Sequence, residues 1–371
     1  MKNRILIIAP LPPPMTGNSL PVKILYDNLK QENDVEVINL SKSSYSAGIN
    51  SLSRIIQIFK IFGQVYRKGR NKDLIYFTIS ESFAGNLKDI LLYLLLKRKL
   101  KVTVIHMFGG AGMKRILDKK SGLQFYLNSF FLNRLRAIIV EGQTQADFFA
   151  KVVDPRKIHV VNNFAENYLF NTKSAISAKF QEDCPIRVLF ISNFIYGKGY
   201  KEIVEAYALL DKEQQRKTAI DFAGGFGSIE SKKIFLNSIK NFENLHYHGL
   251  VSGNEKQQLY HKAHVFCLPT YYPYEGQPFC ILEAYASGCV LVTTNHSGIK
   301  DVFQDKKNGF EARKMDVESL KNIFEIISNS KNLFEIANSN YEYACKHYRS
   351  ERFVGAMRTI FGSIIESRTK L

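Results

Sequence analysis

Residues 264–294 read HVFCLPTYYPYEGQPFCILEAYASGCVLVTT. The apolar runs HVFCLP and VLVTT at its two ends are of strand type, so the residues between them must cross the sheet. Pro278 stands where a proline fits the first turn of a helix and Gly288 where a glycine ends one, which predicts a helix from Phe279 to Ser287. Strand, turn and helix N-terminus in this order make an anion site, because the unpaired N–H groups of the first turn point out of the helix. Glu275 lies in the turn and Glu283 inside the helix. Carboxylates repel phosphate but accept hydrogen bonds from hydroxyls. The two glutamates therefore suit the hydroxyls of a phosphorylated sugar or a ribose, while the backbone along Gly276, Gln277, Pro278 and Phe279 suits the phosphate.

Composition bounds what surrounds this stretch. A chain of 371 residues is long for one core and comfortable for two domains. With 45% hydrophobic and 23% charged residues it is a folded protein rather than a disordered one. The apolar run Ile90 to Leu96 is too short to span a bilayer, and RILIIAPLPPP near the N-terminus is broken by prolines where a signal peptide would continue, so a cytoplasmic chain is expected. Five cysteines without a CxxC pair point to reduced thiols rather than to disulfides or zinc. No DxD occurs, and His246, His248, His261 and His264 lack accompanying ligands, so no metal is expected.

The net charge of +17 is uneven: residues 1–170 hold 25 Lys and Arg against 12 Asp and Glu, and the remainder 26 against 22. Between Asn50 and Lys72 stand Arg54, Lys60, Arg67, Lys68, Arg70 and Lys72 with no acidic residue, while Leu52, Ile55, Ile56, Phe59, Phe62 and Tyr66 share one helical stripe. Such a helix either packs its stripe on a sheet and leaves a solvated basic face, or joins Lys97, Arg98, Lys99 and Lys101 in facing anionic lipid.

Strands at Arg4–Ala9, Val35–Asn39, Leu74–Thr78, Val102–Ile105 and Ala137–Val140, with helical stretches between them, argue a doubly wound parallel sheet whose ligands belong at strand carboxyl ends. Gly17 and His106 fall at such ends. The pattern restarts with a strand at Ile186–Ser192 and a helix from Lys201 to Leu210. Between them Lys198 sits between Gly197 and Gly199, which lets the backbone approach a ligand and leaves an ammonium at a helix N-terminus, suited to a diphosphate. AIDFAGGFGS places Gly224 at the next strand end. Residues 171–185 lack apolar periodicity and read as an interdomain linker.

The motif E-G-x-P-x-x-x-x-E-A-x-A-x-G over residues 275–288 resembles the signature of retaining glycosyltransferase family 4, among the group 1 glycosyltransferases. Lys198 and Gly199 match the end of that family's G-R-x-x-x-x-K-G, with Asn193 where it has arginine, and Gly17 matches one of two adjacent glycines usual in its first loop. The resemblance implies an α/β fold of GT-B type, two Rossmann-like doubly wound parallel-sheet domains facing a cleft. Residues 1–170 would bind the acceptor and 186–348 the donor, with a final helix over 349–371 packing back on the first domain. It further implies retaining transfer from a nucleotide diphosphate sugar to a hydroxyl, with no other cofactor. Glu275, Lys198 and His106 would be catalytic; Glu283, Gly276, Gln277, Pro278, Phe279, Asn193, Gly17 and Gly224 would hold the donor. With the basic first half, the expected acceptor is a glycan or lipid-linked oligosaccharide of bacterial surface polysaccharide, met on the inner face of the plasma membrane. A nonenzymatic basic protein bound to membrane or nucleic acid is the alternative, although the basic stretches carry no RNA-binding signature. A dinucleotide oxidoreductase is disfavoured because no G-x-G-x-x-G follows the first strand.

Overall fold

The computed structural model describes residues 2–13, 15–41, 51–181, 184–330 and 332–369, without side chains for 51–55, 368 and 369. Asn50, the side chains of Leu52, Arg54 and Ile55, and linker positions 182 and 183 therefore lie outside the described residues. The chain divides into two compact units, one of Met1–Asn162 with Glu351–Leu371 and one of Asn163–Ser350.

In the first unit β1 (Arg4–Ala9), β2 (Asp34–Asn39), β3 (Leu74–Thr78), β4 (Thr103–Met107), β5 (Ala137–Val140) and β6 (Ile158–Val160) form a parallel sheet in the order β2-β1-β3-β4-β5-β6. In the second, β7 (Ile186–Ile191), β8 (Thr218–Ala223), β9 (Leu245–Tyr247), β10 (Val265–Leu268), β11 (Val290–Thr294) and β12 (Gly309–Ala312) form another, ordered β12-β11-β10-β7-β8-β9. The central strands LIYFT, VFCL and VLVTT are buried at every residue, as strands covered by helices on both faces must be. The closing helix Ser350–Thr369 rests on the first unit, where Phe361 meets Tyr76 edge-on at 5.8 Å and Arg358 pairs with Glu32 at 3.1 Å.

The segment expected as a linker is folded into the second unit. Lys173–Gln181 is a helix whose Ile176 is wholly buried over Gly288, and whose Lys179 donates to the carbonyls of Ala263 (2.7 Å) and Ser287 (3.0 Å). Burial lowers the Lys179 pKa. Phe180 adds ring contacts to His264 (5.0 Å) and Phe334 (6.1 Å), so the inward face of this nine-residue helix is made of Ile176, a lysine stem and one ring, too short a stripe to stand out as a periodic pattern in sequence. The division between units falls instead after Asn162.

The helix Ser51–Lys68 also differs from expectation. Among its described side chains Ile61 and Val65 are buried and Phe62 of the predicted stripe packs partly on the core, while Ile56, Phe59 and Tyr66 of that stripe are exposed. The sheet takes a face rotated away from the stripe, so the helix is apolar on two sides.

His106 lies inside β4 rather than after it, in register with Thr78 on β3 and Ile139 on β5. The imidazole is completely buried, with ring centroids 4.0 Å from Phe108, and Nδ1 shares a 2.7 Å hydrogen bond with the Tyr76 hydroxyl. Burial drives its pKa from the ordinary 6.5 down to about 3. No imidazole atom is open to a sugar, so the expected catalytic contact gives way to a neutral interior residue.

Two outcomes follow from these placements. Ile176→Ala should destabilise the protein by about 2–4 kcal/mol in urea unfolding, whereas a linker residue would change nothing measurable. Between pH 6.5 and about 3 the unfolded chain holds a His106 proton that the folded chain refuses, so stability falls as pH drops through this window. His106→Phe should remove a slope of up to about 1.4 kcal/mol per pH unit, read as the difference between the two proteins' stability curves.

Candidate active site

Taken in chain order, the second sheet runs 3-2-1-4-5-6, so its winding reverses between β7 and β10. Ligands of such sheets bind beyond the strand carboxyl ends at this reversal. The loop leaving β7 carries Lys198 and the loop leaving β10 carries Glu275. Lys198 Nζ donates to both carboxylate oxygens of Glu275, at 2.9 and 2.7 Å, with only 12% and 8% of the two side chains exposed. Thr270 Oγ1 donates to Glu275 Oε2 at 2.9 Å, and the ammonium stands 5.0 Å from the Tyr272 ring centre.

Glycines permit this closeness. Gly199 precedes the helix Tyr200–Ala208 with φ +84°, and a Cβ there would fall 2.5 Å from the Pro269 carbonyl oxygen. The loop after β11 closes the other side: Ser297 Oγ donates to the Glu275 carbonyl at 2.5 Å, and a Cβ on Gly298 would lie 2.6 Å from the Gly276 carbonyl oxygen. Three strand-end loops thus fix the turn that leads into the helix Phe279–Ala286. Pro278 is its N-cap, with extended backbone (φ −67°, ψ 125°), and Ile281 N–H donates to the Pro278 carbonyl at 3.2 Å. The amides of Phe279 and Cys280 come before that bond, at the end of a helix where N–H groups lack intrahelical acceptors.

Glu283, one turn further on, is held from the helix Gly253–Lys262. Lys256 Nζ donates to its Oε1 at 2.6 Å and the Tyr260 hydroxyl to its Oε2 at 2.9 Å. Glu166 Oε2 lies 3.9 Å from the same ammonium. Burial works to lower the Lys256 pKa, but the Glu283 carboxylate outweighs it and the net shift is upward; burial raises the Glu166 carboxyl. Cys280 has its thiol pushed up to about 12 by burial, which favours the neutral form.

The other expected residues are distributed as follows. Gln277 spends its side chain internally, Oε1 accepting from the Asn163 amide at 2.7 Å, and its carbonyl accepts from Asn163 Nδ2 at 2.9 Å. Asn193 is exposed at the end of β7. Gly224 meets a structural demand, since with φ +139° a Cβ would lie 1.8 Å from the Ser192 carbonyl oxygen. Gly17 is exposed in the turn before the helix Ser19–Leu29, and His106 is interior, both in the first unit. The structure thus brings together Lys198, Glu275, Gly276, Pro278 and Phe279. Sequence reasoning missed Thr270, Tyr260, Glu166 and Lys256. Lys256 did leave a signal: it stands three and four positions before the apolar pair Leu259 and Tyr260, where the inward stripe of a helix calls for an apolar residue.

The family described as "Glycosyl transferases group 1" matches residues 172–347. The amylovoran biosynthesis glycosyltransferase AmsK of Erwinia amylovora is 25% identical over 261 residues, covering 69% of this chain and 61% of that relative, so the match spans less than two thirds of the relative's length. Among solved structures, HepE (Alr3699) of Anabaena in complex with UDP and glucose shares the fold with a TM-score of 0.68 at 17% identity, all of both chains being covered. The sucrose-phosphate synthase of Thermosynechococcus elongatus does so with a TM-score of 0.76 at 14% identity, over 99% of this chain and all of the other. The chain is thus similar in sequence to the group 1 glycosyl transferases over residues 172–347, within its second unit, and carries a fold of GT-B type.

Proposed function

We propose that the protein is a retaining glycosyltransferase. It moves a sugar from a nucleotide diphosphate sugar to a hydroxyl of a lipid-linked oligosaccharide during assembly of a bacterial surface polysaccharide. The observation that carries the reading is the Lys198–Glu275 pair beside the first turn of the helix Phe279–Ala286, at the reversal point of the second sheet. As the bond from the anomeric carbon to the diphosphate breaks, the phosphates gain negative charge, which Lys198 and the amides of Phe279 and Cys280 stabilise. Glu275 accepts hydrogen bonds from sugar hydroxyls and so places the anomeric carbon. The acceptor oxygen bonds to that carbon on the face the diphosphate leaves, and its proton passes to a phosphate oxygen. Glu283 accepts from the ribose. In the resting protein Lys198 already neutralises Glu275, so an arriving diphosphate shares an existing ammonium. The proposal requires no metal ion, and Asn193 supplies polarity without charge.

The place of action rests on the first unit, which holds 29 Lys and Arg against 13 Asp and Glu, where the second holds 22 against 21. The helices Ser51–Lys68, Phe83–Leu95 and Leu123–Leu132 pack side by side there. Outward from the middle one point Phe83, Leu87, Leu91 and Leu94, beside Phe59 on one flank and Tyr126 on the other. The three helices contain one acidic residue, Asp89, which is buried and paired with Lys88 at 2.6 Å. An apolar face with one basic flank, Ser51–Lys68, and no exposed acid on its three helices fits an anionic bilayer surface at the inner leaflet, where each inserted large side chain contributes about 1.5–3 kcal/mol and each nearby cation about 1 kcal/mol. Among the described residues no helix is long and apolar enough to cross a membrane.

Incubation with a panel of nucleotide sugars, with and without lipid-linked acceptors, should release a nucleotide diphosphate from one of them. Lys198→Met and Glu275→Gln should each lower transfer by roughly two orders of magnitude or more. Each also leaves a nearly buried charge unpaired, at about 3–5 kcal/mol. The double variant should regain stability without regaining turnover, and recovered turnover would remove this site from the reaction. Vesicles rich in phosphatidylglycerol should retain the protein on flotation and phosphatidylcholine vesicles should not. The double substitution Leu87→Asp and Leu91→Asp should abolish retention while leaving donor binding unchanged.

A further inference from the structure

We infer that Lys256 is a positioning residue for Glu283, and that through Glu283 it sets the preference of the site for a ribonucleotide over a 2′-deoxyribonucleotide. The inference rests on the reading of Glu283 as the ribose ligand. Lys256 and Tyr260 stand four residues apart, one helical turn, and each donates to a different oxygen of the same carboxylate, at 2.6 and 2.9 Å. Two donors on one rigid helix fix both the position and the plane of the carboxylate. Each oxygen has one lone pair engaged and one left, so the carboxylate can accept two further hydrogen bonds, one per oxygen. A vicinal diol presents two hydroxyl donors with the matching spacing; a 2′-deoxyribose presents one.

The ammonium also answers an electrostatic difficulty. Glu283 is almost wholly buried and Glu166 lies 3.9 Å from Lys256, so without the lysine the carboxylates would face an anionic nucleotide uncompensated. The same helix grips the segment that carries Glu166, since Gln257 donates to the Tyr168 carbonyl and His261 Nε2 lies 3.1 Å from the Leu169 carbonyl oxygen. Lys256 is therefore set in a braced frame, 16% exposed, and aimed at Glu283 rather than at solvent. Its contact is with the carboxylate that touches the nucleotide, which makes its role one of placement.

The test is calorimetric binding of UDP, GDP and their 2′-deoxy forms to the full chain. For the nucleotide that binds best, the wild type should prefer the ribo form by about tenfold or more, the scale expected when one buried hydrogen bond is lost. Lys256→Met should bring the ratio of deoxy to ribo Kd close to one, weakening both forms through the lost charge but the ribo form by about tenfold more, and Lys256→Arg should restore most of the preference. Tyr260→Phe, which removes one hydroxyl, should lower the ratio by a smaller factor. A Lys256→Met protein that keeps the preference, or weakens both forms equally, overturns the inference. Should Lys256→Met fail to fold, an unchanged ratio in Tyr260→Phe overturns it. Glu283→Gln separates the two levels: an unchanged preference in that variant overturns the reading of Glu283 itself, whereas its loss there with retention in Lys256→Met overturns only the role of the lysine.

Discussion

The hydrogen-bonded ion pair between Lys198 and Glu275 is the interaction on which the candidate site depends, because it joins loops that the topology sends apart. At the reversal between β7 and β10 the two connections leave in opposite directions, opening a crevice that nothing in the strands themselves would close. A lysine from one side and a carboxylate from the other close it at 2.7 Å, and Gly199 and Gly298 let backbones approach where any Cβ would collide. The pair is a poor source of stability, since desolvating two ions offsets most of their attraction. Under the proposed function its value would lie in holding opposite charges ready for a phosphate and a sugar.

Glu283 and Lys256 repeat the device one helical turn deeper, and the two pairs differ in what a ligand can do to them. Lys198 is braced by a ring face and a carboxylate, both of which can share it with an incoming anion. Lys256 sits between two carboxylates, so moving it would leave two buried negative charges. The outer pair is therefore exchangeable and the inner one fixed. The neutral Cys280 thiol stands among these charges without adding one, its ionisation suppressed by burial and by Glu275 and Glu283.

The sequence displayed those parts of the structure whose cause is local. The strands were legible as apolar runs and the turn at Glu275 as a proline, two glycines and a helix. Lys198 was legible from its flanking glycines, since φ values of +92° and +84° leave glycine as the ordinary choice. What was not legible depends on partners far along the chain. Lys173–Gln181 carries a weak helical pattern because Ile176 finds its cover at Gly288, more than a hundred residues later. His106 read as a strand-end residue because nothing local shows that β3 carries the ladder to His106 and β5 on to Met107. Lys256 is a charge on an inward stripe, intelligible only once Glu283 is seen opposite. In the helix Ser51–Lys68 the periodicity was real, but a period gives no direction, and the sheet took the other face.

That last difference changes what the net charge means. A uniformly basic surface would suggest a polyanion held by electrostatics alone. Here the excess falls almost entirely in the unit whose helices also turn leucines and phenylalanines outward, while the unit carrying Lys198 and Glu275 is nearly neutral and pairs its inner charges. Charge attraction is screened within about 8 Å at physiological salt, whereas apolar insertion is not, so the two features act at different ranges. In the proposed docking, basic residues would bring such a face toward an anionic surface and the apolar side chains would keep it there. Both features lie in one unit while the other carries nearly balanced charge, so the docking proposed for the first would leave the proposed donor recognition in the second to Lys198 and the first-turn amides rather than to net charge.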